Sequence, residues 1–221
     1  MGTNRNFPAL YPILDAAFLE SAEDRADSLG RLVGDLAQAG VEVLQYRNKT
    51  GTEEEILADA HVMREAAGSG LLLILNDWPE LAVAAGFNGV HVGQTDLSPT
   101  EARGIVGPGK IVGVSTHNEA QLRAADFETV DYIAIGPVFA TVTKANPDPV
   151  VGLEGVCLAR SRTHKTLVAI GGITVENAAA VRHAGADSVA VISAIFLPGC
   201  DAAKSAEDFL RVFAKTPSRR Q

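Results

Sequence analysis

Residues 39–49 read AGVEVLQYRNK, and the fold follows from how this stretch divides. The Ala-Gly pair is a helix stop, because glycine readily takes the left-handed conformation that ends a helix. VEVLQY (41–46) then reads as a β-strand, alternating apolar and polar residues over a short run. At its end Gln45, Arg47 and Lys49 occupy alternate positions. Alternate residues of an extended chain share one face. The stretch is a helix end, a strand, and a strand tip that presents an amide and two cations together.

This unit recurs. Strand-like runs lie at ALYPIL (9–14), VEVLQY (41–46), LLLILN (71–76), GVHVG (89–93), KIVGVS (110–115), DYIAIG (131–136), TLVAIG (166–171) and DSVAVIS (187–193), eight in all. Ala-Gly pairs at 39–40, 85–86 and 184–185 each precede a strand. Gly40 to Gly86 spans 46 residues over two units and Gly86 to Gly185 spans 99 over four, about 23–25 per βα unit. Helix signals fill the gaps. Ser21 and Asp24 stand as caps before Leu29, Leu32, Val33 and Leu36, and Thr52 with Glu55 forms a capping box before Ile56, Ala60, Met63 and Ala67. Eight βα units in one chain of this length predict an α/β fold, a closed TIM (β/α)8 barrel forming one domain over 1–221. Residues 1–7 and 215–221 are expected to fray. No GxGxxG follows the first strand, which argues against a dinucleotide site.

The chain has 221 residues, 47% hydrophobic and 21% charged, as an ordinary globular domain does. Its net charge of −8 disfavours nucleic acid and anionic membrane as partners, so any anion site must be local. No apolar run approaches the ~18 residues of a membrane helix, and MGTNRNF has no signal-peptide core. Cys157 and Cys200 fit no metal spacing and read as two buried thiols of a cytoplasmic protein. Small-molecule substrates are the partners expected, and a homo-oligomer is left open.

In such barrels the chemistry lies at the C-terminal ends of the strands. Here those ends carry Gln45, Arg47 and Lys49; Asn76 and Asp77; Gln94, Thr95 and Asp96; Ser115, Thr116 and His117; Thr141, Thr143 and Lys144; Gly171 and Gly172; and Ser193. Asp77 and Asp96 lie on neighbouring strands. Each alone could cap the helix that follows it, but as a pair they suit a hard divalent cation such as Mg2+. Arg47, Lys49 and Lys144 could be a solvated charged rim. Beside a metal they instead suit a polyanion, with arginine clamping phosphate bidentately and lysine acting as a point charge. IGGIT (170–174) and VISAI (191–195) provide the phosphate signal usual after strands seven and eight, with a tight turn as the plainer reading of the glycines. His91 is expected inside the barrel as a hydrogen-bonded core residue, and His61, His164 and His183 on the surface. Ser115 has no GxSxG elbow, and no nucleophile–base pair is visible.

QYRNK, ND (76–77), GVHVGQTD, GVSTH, IGPVFATVTK, IGGIT and VISAI, in this order on successive strands, resemble the thiamine phosphate synthase family over nearly the whole chain. The resemblance implies a TIM barrel that joins an aminopyrimidine diphosphate to a thiazole phosphate and releases diphosphate. It implies that Gln45, Tyr46, Arg47, Asn48, Lys49, Asn76, Ser115 and Lys144 hold the pyrimidine diphosphate, and that one Mg2+ sits on Asp77 and Asp96. Thr141, Val142, Thr143, Gly172, Ile192 and Ser193 would hold the thiazole phosphate. Arg47, Lys49, Ser115 and Lys144 would carry the catalysis, with loop 140–149 closing over the substrates. Leu14, Asn48 and Ala140 depart from the family pattern. Rival readings are a thiazole tautomerase using His117, a non-catalytic sensor of thiazole phosphate or thiamine phosphate, and a sugar-phosphate isomerase or aldolase.

Overall fold

A computed structural model describes residues 7–20, 22–141, 148–197 and 199–216. Its strands are β1 (Leu10–Asp15), β2 (Val43–Arg47), β3 (Leu72–Asn76), β4 (Gly89–Val92), β5 (Ile111–Thr116), β6 (Tyr132–Ile135), β7 (Thr166–Ile170) and β8 (Ser188–Val191). Each overlaps one of the eight expected runs. All pair in parallel with the next in sequence, and β8 closes on β1 through Leu10 opposite Val189.

The helices are α1 (Arg25–Gln38), α2 (Glu53–Ala67), α3 (Pro79–Ala84), α4 (Pro99–Val106), α5 (Glu119–Phe127), α6 (Gly152–Arg162), α7 (Val175–His183), the single turn α8 (Ser193–Phe196) and α9 (Ala202–Ala214). Thr52 and Glu55 close a reciprocal capping box on α2, whose Ile56, Ala60, Met63 and Ala67 are buried as the spacing predicts. Asp24 caps α1 by accepting from the amide of Asp27 at 3.0 Å, and Ser21 lies outside the described residues. Ala39, Ala85 and Ala184 end α1, α3 and α7, and the glycine after each has positive φ (90°, 68° and 117°). The Ala-Gly repeat is thus a set of left-handed helix stops.

Strand side chains sort by parity. Leu10, Leu14, Leu44, Tyr46, Leu73, Leu75, Val90, Val112 and Val189 point outward into one continuous core beneath the helices. Fully burying each aliphatic side chain contributes roughly 1.5–3 kcal/mol, and Leu36→Ala on α1 would cost about 2–5 kcal/mol. Tyr11, Ile13, Val43, Ile74, Tyr132, Ala134, Val168 and Ala190 point inward. Phe7, expected to fray, instead plugs the floor of the barrel, its ring 5.3 Å from that of Tyr11 and 4.8 Å from that of Tyr132. Thr216, at the other expected frayed end, is buried. Cys157 and Cys200 are free but exposed, correcting the buried thiols expected.

Candidate functional site

The strand tips open into a cavity of about 440 Å³ at the C-terminal mouth of the barrel. Gln45, Arg47, Lys49, Asn76, Asp77, Asp96, Ser115, Thr141, Gly172, Ile192 and Ser193 all line it. Val142, Thr143 and Lys144 lie outside the described residues, as does most of loop 140–149.

Two ion pairs occupy the β1–β3 side of the mouth. Arg47 stands opposite Asp15 in the register of β1 with β2, and its guanidinium donates to the Asp15 carboxylate. Asp15 also accepts from the amide of Ala17 at 3.1 Å, so one carboxylate caps the first turn after β1 and holds Arg47. Lys49 is paired with Asp77. Asp77 has a φ of 71°, in the left-handed region that a non-glycine residue enters at a cost of about 1–2 kcal/mol. Asp96, on the neighbouring loop, accepts from the amide of Gly93 at 2.7 Å. Burial pushes the Asp77 carboxyl above the usual range; Lys49 opposes this and the neighbouring Asp96 adds to it. Neither carboxylate is a helix cap. Trp78 begins α3 without a side-chain cap, and Ser98 caps α4.

Beneath this mouth the barrel interior is polar. Gln45 donates from Nε2 to the hydroxyl of Tyr11 at 2.8 Å, and Tyr11 meets the hydroxyl of Tyr132 at 2.8 Å. Tyr132 reaches Nδ1 of His91 at 2.9 Å, and Nε2 of His91 lies 2.8 Å from Oγ of Ser115. Gly113 makes room for this: a Cβ there would lie 1.9 Å from Cζ of Tyr132. Burial pushes His91 down to about 4, so its ring is neutral near pH 7.

Among the described residues, the opposite side, from β6 to β8, brings one charged side chain to the cavity, Asp148. Gly172 has a φ of 62°, and a Cβ on it would lie 2.5 Å from the carbonyl oxygen of Ala140, so only glycine lets the two loops meet. Ile192 and Ser193 follow β8 at the start of α8. His117 sits between the two sides, with Nδ1 2.7 Å from the carbonyl of Gly136 and Nε2 3.5 Å from Asp148.

Two of the sequence assignments turn away from the mouth. The side chains of Tyr46 and Asn48 do not line the cavity, because even positions on β2 face the helices. Tyr46 donates to Asp59, which is held by Arg25 at 2.7 Å. Asn48 donates to Tyr46 at 3.1 Å and accepts from the amide of Gly51 at 2.8 Å. The pair braces the β2–α2 turn rather than reaching into the cavity. Sequence reasoning passed over Asp15, Tyr11 and Tyr132. Asp15 was a visible strand-end carboxylate, and the inward parity of Tyr11 matches that of Gln45 once the register is known.

A family model described as thiamine monophosphate synthase matches residues 10–195. A thiamine-phosphate synthase of Koribacter versatilis is 50% identical, with 96% of this chain and 99% of that protein covered. One of Chloroflexus aurantiacus is 38% identical, with 84% of each covered. Among solved structures, thiamine phosphate pyrophosphorylase from Pyrococcus furiosus superposes with a TM-score of 0.81 at 27% identity, covering 94% of this chain and 96% of that one. With the barrel, its mouth and these matches together, the chain belongs to the thiamine monophosphate synthase family.

Proposed function

We propose that the protein joins 4-amino-2-methyl-5-pyrimidinylmethyl diphosphate to thiazole phosphate, giving thiamine phosphate and diphosphate. The observation that carries this reading is the division of one mouth into two unlike sides. Arg47, Lys49, Asp77 and Asp96 gather near β2 to β4, and Gly171, Gly172, Ile192 and Ser193 near β7 and β8. A diphosphate with a metal suits the first side. A phosphate held by backbone amides suits the second.

The C–O bond between the ring methylene and the diphosphate breaks, and its electron pair leaves with the diphosphate. The thiazole nitrogen supplies the lone pair of the new C–N bond. The aminopyrimidine ring delocalises the methylene cation that develops between these events, which makes the substitution dissociative. No proton need move, so the hydrogen bond between Ser115 and His91 has no nucleophile to activate. Arg47 clamps the diphosphate while Asp15 stays behind its guanidinium, and Lys49 adds a point charge, exchanging Asp77 for phosphate oxygens. Ser115 donates to the same group, Gln45 and Asn76 hold the pyrimidine, and Lys144 is assigned to the departing anion. Thr141, Val142, Thr143, Gly172, Ile192 and Ser193 are assigned to the thiazole phosphate.

Mg2+ belongs to this reading. Asp77 and Asp96 offer hard oxygen donors whose mutual repulsion a cation would relieve. Among the described residues no group of three His, Cys, Asp or Glu side chains forms a metal cluster. Two carboxylates suffice for Mg2+, which commonly completes its shell with water and phosphate oxygens. Once bound, the ion would supply positive charge to the diphosphate oxygens. A cytoplasmic setting is also part of the proposal, supported by two exposed, unpaired cysteines of the kind that persist in reducing compartments.

The test is to incubate the protein with both substrates and Mg2+, then quantify products by chromatography and a diphosphate assay. Equal amounts of thiamine phosphate and diphosphate are expected. A sensor or a tautomerase would release no diphosphate, and that outcome would overturn the assignment.

A further inference from the structure

The five side chains beneath the mouth form one unbroken hydrogen-bonded chain from β2 to β5, in the order Gln45, Tyr11, Tyr132, His91 and Ser115. Only its two ends, Gln45 and Ser115, belong to the groups already assigned to substrate. Tyr11 and Tyr132 are buried and His91 nearly so, at 1%, 0% and 8% exposure. Their polar atoms are thus committed to one another.

Such a chain has a direction. Each tyrosine hydroxyl carries one hydrogen, and a neutral imidazole is a donor at one nitrogen and an acceptor at the other. Because Gln45 donates from Nε2 to Tyr11, the Tyr11 hydrogen points to Tyr132 and the Tyr132 hydrogen points to Nδ1 of His91. The imidazole proton then sits on Nε2 and is donated to Ser115. That leaves the Ser115 hydrogen free to point into the mouth. Reversing any one link reverses all of them. Gln45 would then turn its amide nitrogen to the mouth, and Ser115 would spend its hydrogen on His91 and face the mouth with lone pairs only.

An anion at Ser115 selects between the two directions. Lone pairs facing a phosphate oxygen repel it, whereas an O–H donates to it. The favoured direction also presents the amide oxygen of Gln45 at the other end of the chain, where it can accept from an amino-substituted ring. We propose that Tyr11, Tyr132 and His91 are positioning residues, which orient the Ser115 hydroxyl toward the leaving anion and thereby fix Gln45 as an acceptor for the amino group of the pyrimidine. Gly113 is part of the device, since any side chain there would displace the Tyr132 ring. The proposal deepens the synthase reading and rests on it for the identity of the ligands. The direction of the chain does not.

Two measurements test it. The first is 15N NMR of protein labelled in histidine, with His91 assigned by its loss in His91→Gln, recorded with inorganic diphosphate and Mg2+ present. The expected state is a neutral ring protonated at Nε2. A ring protonated at Nδ1 would overturn the proposal, whether or not the protein turns over. The second is a double-mutant cycle. Tyr132→Phe keeps the ring over Gly113 and removes the hydroxyl. It is expected to lower kcat about tenfold while KM for thiazole phosphate stays within about twofold, and to lower kcat no further in a Ser115→Ala background. Equal losses in both backgrounds would make Tyr132 a packing residue and remove its role. A wild-type protein that makes no thiamine phosphate would sink the synthase reading alone, and the NMR result would still decide the direction of the chain.

Discussion

Nε2 of His91 lies 2.8 Å from the hydroxyl of Ser115, which ties a buried core histidine to a residue of the mouth. The fold holds this ring neutral, its pKa pushed down to about 4 by burial. In the unfolded chain it titrates near ~6.5. Between these values the unfolded state binds the extra proton, so stability falls as pH drops from 6.5 toward 4 and is level above that window. Denaturant unfolding at pH 7 and pH 4 should show a loss on the order of 3 kcal/mol that His91→Gln lacks. Equal losses in both proteins would mean that His91 is protonated in the native state.

Asp15 is the inner partner of Arg47 and fixes where the guanidinium points. Asp15→Asn should therefore raise KM for the pyrimidine diphosphate by about threefold to tenfold, the equivalent of roughly 1 kcal/mol of lost orientation. KM for thiazole phosphate should stay level. Steady-state kinetics with each substrate varied in turn separates the two, and a parallel rise in both would point to a general loosening of the mouth.

Asp96 accepts from the Gly93 amide and neighbours Asp77, so its removal leaves one carboxylate for a metal. Asp96→Ala is expected to shift the Mg2+ concentration at half-maximal rate upward by about tenfold or more, because Mg2+ bound through one carboxylate must keep more water. An unchanged Mg2+ profile would take Asp96 out of the metal site.

Tyr46 serves the turn and not the mouth. Its hydroxyl bonds Asp59 and Asn48 in a buried cluster with Arg25. Tyr46→Phe should lower stability by about 1–3 kcal/mol, since it strips partners from buried polar groups. It should leave kcat within about twofold. A large fall in kcat with unchanged stability would return Tyr46 to the substrate.

The barrel was legible because local instructions recur from unit to unit. Ala39-Gly40, Ala85-Gly86 and Ala184-Gly185 stop helices, and the runs after them are short and apolar enough to be strands. The mouth was legible for a related reason, as charged residues such as Arg47, Asp77 and Asp96 follow the apolar runs at their C-terminal ends. What remained hidden depends on parity and register, which only pairing fixes. Gln45 and Tyr46 are adjacent in sequence, yet one faces the cavity and the other the helices. Tyr11 and Tyr132 are 121 residues apart, and nothing local says that their hydroxyls meet. Arg47 finding Asp15 likewise follows from β1 lying against β2 in one register.

The account stands on two anion subsites sharing one mouth, and calorimetry tests this most directly. Inorganic diphosphate with Mg2+ is titrated into the protein alone and into protein saturated with thiazole phosphate. Binding in both cases, with affinities within about threefold, is the result the account predicts. Loss of diphosphate binding once thiazole phosphate is present would mean a single shared anion site, and would contradict it.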